Sequence, residues 1–84
     1  MNVDLYRRAE RDNKFTYLAV PAGEMIPEEA TNVDWELRKK SVHVDEMRPH
    51  LEPYHIDDAG KQIAEKGYAI TSVMHQVDQA DAKE

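Results

Sequence analysis

The run Phe15-Thr16-Tyr17-Leu18-Ala19-Val20 constrains this chain more than any other stretch, because it carries apolar side chains on both sides of a period-2 alternation. Phe15, Tyr17 and Ala19 point one way in a strand, and Thr16, Leu18 and Val20 the other. Such a strand needs cover on both faces and belongs in the middle of a sheet. Pro21-Ala22-Gly23 ends it, since proline offers the ladder no N–H and glycine permits a sharp turn. Upstream, Val3 and Leu5 alternate with Asp4 and Tyr6, which reads as a half-buried strand over Val3 to Arg7. Ala9 to Asn13 reads as a turn, so the two segments form an antiparallel hairpin with a longer loop.

Downstream the signals turn helical. Ile26-Pro27-Glu28-Glu29-Ala30 suits one helical turn, with Pro27 at its first position and two carboxylates near its positive end. Thr31-Asn32-Val33-Asp34 matches a capping box, and Asp34/Arg38 and Glu36/Lys40 fall at i,i+4 with the acid leading. This predicts a helix over 33–41, although Trp35 with Leu37 and Val42 with Val44 also fit a strand. Residues 45–56, with Pro49 and Pro53, read as loop. A second helix is predicted from an Asp cap at Ile56-Asp57-Asp58 through Ala59, Ile63 and Ala64 to Lys66, ending at Gly67 in the left-handed C′ position. Tyr68 to Val73, or on to Val77, alternates as a third strand, and the polar tail 78–84 is expected to be disordered.

These elements give an α+β domain over residues 1–77, a small antiparallel three-stranded sheet packed against two helices in the order β-β-α-α-β. At 84 residues the chain holds one modest core. It has no cysteine, which excludes disulfides, thiol nucleophiles and thiolate metal sites and suits a reducing compartment. Met1 to Leu5 has neither the basic nor the apolar run of a secretory signal, and no stretch approaches the length of a membrane span. A cytoplasmic protein without membrane contact is therefore expected. Acid concentrates in residues 21–60, with ten acidic residues against four basic, within an overall charge of -6. That balance makes nucleic acid an unlikely partner, the cluster Arg7, Arg8, Arg11 and Lys14 being the local exception.

Several segments carry a resemblance: Tyr6-Arg7-Arg8, the run Tyr17 to Pro21, the block Ile26 to Glu36, and Ile63 to Thr71. They resemble the shared segments of a family of short, uncharacterised bacterial proteins, over roughly residues 1–74. The resemblance implies a single domain of bacterial origin. It brings no activity, cofactor or functional residue.

Chemistry must then be sought among the residues themselves. His43, His50, His55 and His75, with Asp45, Asp57 and Asp58, hold nitrogen and oxygen donors, but no histidine pair has the i,i+4 spacing of two ligands on one helix face. His43-Val44-Asp45 is the close His/carboxylate pair; in a strand both side chains would share a face and could form an oriented base. Ser41 and Ser72 lack the surroundings of a nucleophile elbow, and three glycines make no phosphate loop. Glu28 and Glu29, like Asp57 and Asp58, are adjacent acids of a helix start, not a pair held across a cleft.

No catalytic, cofactor or metal residue is assigned, and no cofactor is expected. The expected role is a non-catalytic module that binds another protein, or a second copy of itself, through an exposed sheet edge or the acidic 24–58 surface. Glu28, Glu29, Trp35, Arg7 and Arg8 are the candidate contacts. The alternatives are a small enzyme using His43 and Asp45 and a weak nucleic-acid binder using the N-terminal hairpin.

Overall fold

The computed structural model describes residues 1–30, 34–45, 47–52, 54–72, 74 and 76–81. Its first two strands, β1 (Asn2–Glu10) and β2 (Lys14–Pro21), pair antiparallel from Val3↔Pro21 to Glu10↔Lys14. The strands run further toward each other than expected, because the turn between them is tight. Three residues, Arg11 to Asn13, make the connection; Asp12 and Asn13 both have positive φ, 61° and 57°, and Asp and Asn tolerate that region better than other side chains.

β2 is the central strand. Register places Val3, Leu5, Tyr17 and Ala19 on one face, where they join Val44, Tyr54, Ile56, Ala59, Ala69 and Val77 in the buried cluster. The Tyr17 and Tyr54 rings meet edge to face, 5.0 Å between centroids. Asp4, Thr16, Leu18 and Val20 occupy the other face and are buried as well.

The third principal strand, β3 (Glu36–His43), pairs antiparallel with β1 from Asn2↔His43 to Arg7↔Glu36. This corrects the helix expected over 33–41; the capping residues Thr31, Asn32 and Val33 lie outside the described residues. Two irregularities hide the strand in the sequence. Between Val3↔Val42 and Leu5↔Lys39, Lys40 and Ser41 face the single residue Asp4, and Arg38 is extra between Leu5↔Lys39 and Tyr6↔Leu37. Each bulge resets the side-chain alternation, so no period-2 pattern survives along β3.

The other long edge of β2 is covered in pieces. β6 (Ala69–Ile70) pairs with Leu18 and Ala19, and β7 (Val77–Asp78) with Lys14 and Phe15. Between them Thr71 serves Tyr17: its N–H donates to the Tyr17 carbonyl (3.0 Å), and its hydroxyl accepts from the Tyr17 N–H (2.9 Å). The sheet order is β3-β1-β2-β6, with β7 also on β2. A separate two-residue hairpin, β4 (His50–Leu51) with β5 (Ile56–Asp57), delivers Ile56 and Tyr54 to the core. Where a disordered tail was expected, Asp78 pairs with Lys14, and a 3-10 turn over Gln79–Asp81 follows, its Gln79 N–H donating to the Asn13 carbonyl (2.8 Å). Residues 82–84, like Val73, Pro53 and Glu46, lie outside the described residues.

Among the described residues one α-helix remains of the two expected, α1 (Ala59–Lys66), beside the 3-10 turns at Glu28–Ala30 and Gln79–Asp81. The fold is therefore mostly β, a five-stranded sheet and a two-stranded one with a single helix, and not a three-stranded sheet under two helices. Ile56 and Asp57 belong to β5, not to the helix. Asp58 occupies the N-cap position with a left-handed backbone, φ 50°, and its side chain makes no capping bond. The helix buries Ala59 and packs Ile63 against the cluster. Its Gln62 amide also reaches the outer side of β6, accepting from the Ile70 N–H (3.1 Å) and donating to the Ile70 carbonyl (3.4 Å). One side chain thus stands in for a neighbouring strand at that edge.

The helix ends as its sequence predicts: Gly67 has φ 86° and its N–H donates to the Ile63 carbonyl (2.8 Å). A Cβ there would meet only Pro27 Cγ at 3.7 Å, an ordinary contact, so the penalty of a side chain is the left-handed backbone itself. Gly67→Ala is expected to destabilise by about 1 kcal/mol, and Gly67→Asn by less. Urea melts of the three proteins check this, and an alanine midpoint at or above wild type would refute it.

Candidate functional site

β3 is an exposed edge of the sheet. As the terminal strand of the sheet it pairs with β1 alone among the described residues, and every residue in it except the half-buried Val42 is exposed. The ladder continues past its end, because the Val44 N–H donates to the Met1 carbonyl (2.8 Å) and the Met1 amino group to the Val44 carbonyl (3.0 Å). The far side of β3 therefore offers backbone groups to an extended segment.

That edge is positively charged on an acidic molecule. Glu36 is engaged by Arg7 at 3.4 Å and by Arg38, whereas Lys39 and Lys40 form no ion pair among the described residues. Leu37, 42% exposed, stands between Glu36 and Arg38. Below the end of the strand lies an open groove of about 530 Å³ lined by Met1, His43, Val44, Asp45, Met47, Arg48 and Leu51.

The residues chosen from sequence do not converge. Arg7 and Arg8 are neighbours in β1 and so point to opposite faces. The Arg7 guanidinium lies 4.1 Å from the Phe15 ring centroid and that of Arg8 4.7 Å from Trp35, each already stacked on its own aromatic. Trp35 is half-buried just before β3, outside the core cluster, and its indole N–H donates to the Ala30 carbonyl (2.6 Å). Glu28 is exposed in the 3-10 turn, and the side chain of Glu29 lies outside what the structure describes. The acidic 24–58 segment is interrupted by the basic strand β3 itself. Leu37, Lys39, Lys40, Met47 and Leu51 were missed; the Lys39-Lys40 pair between Leu37 and Val42 was the one available signal, and it reads equally well as a helix surface.

The histidines are also dispersed. His43 and Asp45 line the same groove without bonding each other: His43 Nδ1 is 3.4 Å from Asn2 Oδ1, while Asp45 Oδ1 accepts from the Met47 N–H (2.9 Å) and Oδ2 lies 4.0 Å from Arg48 Nε. His50 meets Asp57 at 2.7 Å across the β4–β5 hairpin, with both side chains exposed, and His55 Nε2 lies 3.6 Å from Glu52. His75 is outside the described residues. Among those described, no group of three or more metal-ligating side chains is assembled.

On the face opposite the core cluster, Arg8, Glu10 and Thr16 form a small charged network. Glu10 Oε2 accepts from Thr16 Oγ1 (2.7 Å) and from Arg8 Nε (2.6 Å). Burial pushes the Glu10 carboxyl up, but the Thr16 hydrogen bond and the hydrogen bond and charge of Arg8 together outweigh it and hold the group below its ordinary value of 4.5. A depressed carboxyl stabilises the fold above its unfolded-state value and loses that contribution as the pH falls through the lowered one. The stability advantage of wild type over Glu10→Gln is accordingly expected to be full above pH 4.5 and to close below it. Urea melts across that range check this; an advantage independent of pH would show that Glu10 contributes nothing by its charge.

The family described as a family of unknown function matches residues 1–77. No curated protein and no solved structure matches the chain. Among the described residues, no helix is long and apolar enough to cross a membrane.

Proposed function

This chain belongs to DUF6139, a family of unknown function, and we propose that it is a non-catalytic binding module that takes an extended, acidic segment of another protein along the outer edge of β3. The observation that carries the reading is a strand of eight residues that, among the described residues, is paired on one side and has Lys39 and Lys40 without an ion pair, on a protein of net charge -6. Backbone pairing supplies affinity that depends little on sequence, and the two lysines select acidic partners and speed their encounter. The same charge pattern disfavours a second copy as the occupant. An antiparallel pair of β3 strands brings Arg38, Lys39 and Lys40 of both chains together, and two chains of charge -6 repel at a distance. The cysteine-free composition suits the reducing bacterial cytoplasm as the place of action.

Capped synthetic peptides alternating glutamate with valine, eight residues long to match β3, provide the test. Binding is expected to shift the amide resonances of residues 36–44 and to weaken with salt. Lys39→Glu with Lys40→Glu should reduce affinity about 10-fold or more. Bulges and edge lysines are also devices by which sheets refuse extra strands. Absence of peptide shifts, with self-association appearing once both lysines become valine, would mean that the edge is guarded and would overturn the proposal.

A further inference from the structure

We infer that the groove at the end of β3 reads an apolar side chain of the segment that pairs along the strand. This rests on the edge reading above and adds a specificity element to it. The ladder continues through the reciprocal bonds of Val44 with Met1, so a segment lying along β3 is led past His43 to the groove walls. Those walls are amphipathic: Met1, Val44, Met47 and Leu51 are apolar, and His43, Asp45 and Arg48 bring polar groups. At about 530 Å³ the groove has the capacity of a small-ligand site and accepts a large aliphatic or aromatic side chain.

Met47 is the part of the wall poised for this. It is 86% exposed, an unbranched thioether side chain left in water, and such a side chain adapts to whatever it covers. Its backbone is fixed nonetheless, because its N–H donates to Asp45 Oδ1 (2.9 Å) and the Arg48 N–H to the Asp45 carbonyl (3.1 Å). Asp45 thereby has its carboxylate occupied in shaping the turn. The occupant is the apolar side chain of an otherwise acidic extended segment, since Lys39 and Lys40 select acid along the strand and the groove selects an apolar residue at its end.

The experiment compares the glutamate–valine peptide with a glutamate–alanine peptide of the same length, and with versions in which one position in turn is leucine or phenylalanine. Binding is followed by amide shifts on wild type and on Met47→Gln, a change at an exposed position that the fold tolerates. One leucine or phenylalanine position should improve wild-type affinity about 10-fold or more over alanine, with shifts at Val44, Met47, Arg48 and Leu51. Met47→Gln should abolish most of that gain. Peptides that shift β3 amides while the groove stays silent and Met47→Gln has no effect would refute the groove and leave the edge standing. Peptides that shift neither would refute both.

Discussion

Replacing Thr71 with valine is expected to lower stability by roughly 2–4 kcal/mol, more than its loss of one oxygen suggests. The Thr71 hydroxyl is buried and makes two kinds of contact. It accepts from the Tyr17 N–H (2.9 Å), and it donates to the Tyr54 carbonyl (2.8 Å), with the Tyr17 carbonyl also near at 3.3 Å. It does at Tyr17 what a strand carbonyl would do, where the outer strand is interrupted between Ile70 and Val77. Valine has nearly the same shape, so no cavity confuses the result, but a buried donor and a buried acceptor lose a partner, each at about 1–3 kcal/mol. A domain of this size has roughly 4–13 kcal/mol in total. Thr71→Ser keeps the hydroxyl and should fall about 1 kcal/mol below wild type, through the lost methyl. Urea melts of the three proteins decide the matter, and a valine variant no less stable than the serine one would show that the hydroxyl is dispensable.

The second large effect is expected at Asp4, a carboxylate buried in β1. Its Oδ1 accepts from the Ser41 N–H (3.0 Å) in the bulge of β3, and its Oδ2 from the Gly23 N–H (3.2 Å) in the turn leaving β2. Ser41 has φ 52°, a conformation that costs a non-glycine residue about 1 kcal/mol or more and persists only where its surroundings hold it. Asp4→Ala removes both bonds and should destabilise by about 1.5–3 kcal/mol, with Asp4→Asn, which keeps one acceptor oxygen, in between. The loss should also be local. Amide exchange at residues 39–42 is expected to quicken more than exchange within the β1–β2 hairpin. Uniform acceleration across the sheet would mean that Asp4 supports the whole fold and not the bulge.

That bulge bears on the proposed binding edge, because the conformation of Lys40 and Ser41 sets how β3 presents its outer groups. If Asp4→Ala straightens the strand, peptide affinity should change even though Asp4 itself is buried and touches no peptide.

The parts of this molecule legible in its sequence are those whose causes are local. The centrality of β2 follows from apolar side chains on both sides of the alternation from Phe15 to Val20, and side chains on both of its faces are indeed buried. The hairpin with β1 follows from alternation on one side of Asp12-Asn13 and the apolar run on the other. The end of α1 at Gly67 follows from one residue that alone enters the left-handed region without penalty. The candidate contacts Arg7, Arg8, Glu28, Glu29 and Trp35 were legible only as residue types. Which face each takes depends on strand register, and register placed the two arginines on opposite faces.

Tertiary structure decided the rest, where the cause lies far away along the chain. Acid-leading i,i+4 pairs and a capping pattern favour a helix through Glu36 to Lys40 by a few tenths of a kcal/mol per pair. Those residues instead complete a ladder with β1, which lies more than twenty-five positions earlier. Bulges at Arg38 and at Lys40–Ser41 erased the alternation that would have revealed the strand, and an exposed edge has no apolar face to restore it. The outer strand was unreadable for a related reason: its central contacts come from a threonine hydroxyl and its edge is closed by a glutamine side chain, and neither leaves a periodic trace. Local periodicity thus sufficed for elements buried on their own account, whereas strands defined by a partner's backbone became visible only once that partner was in place.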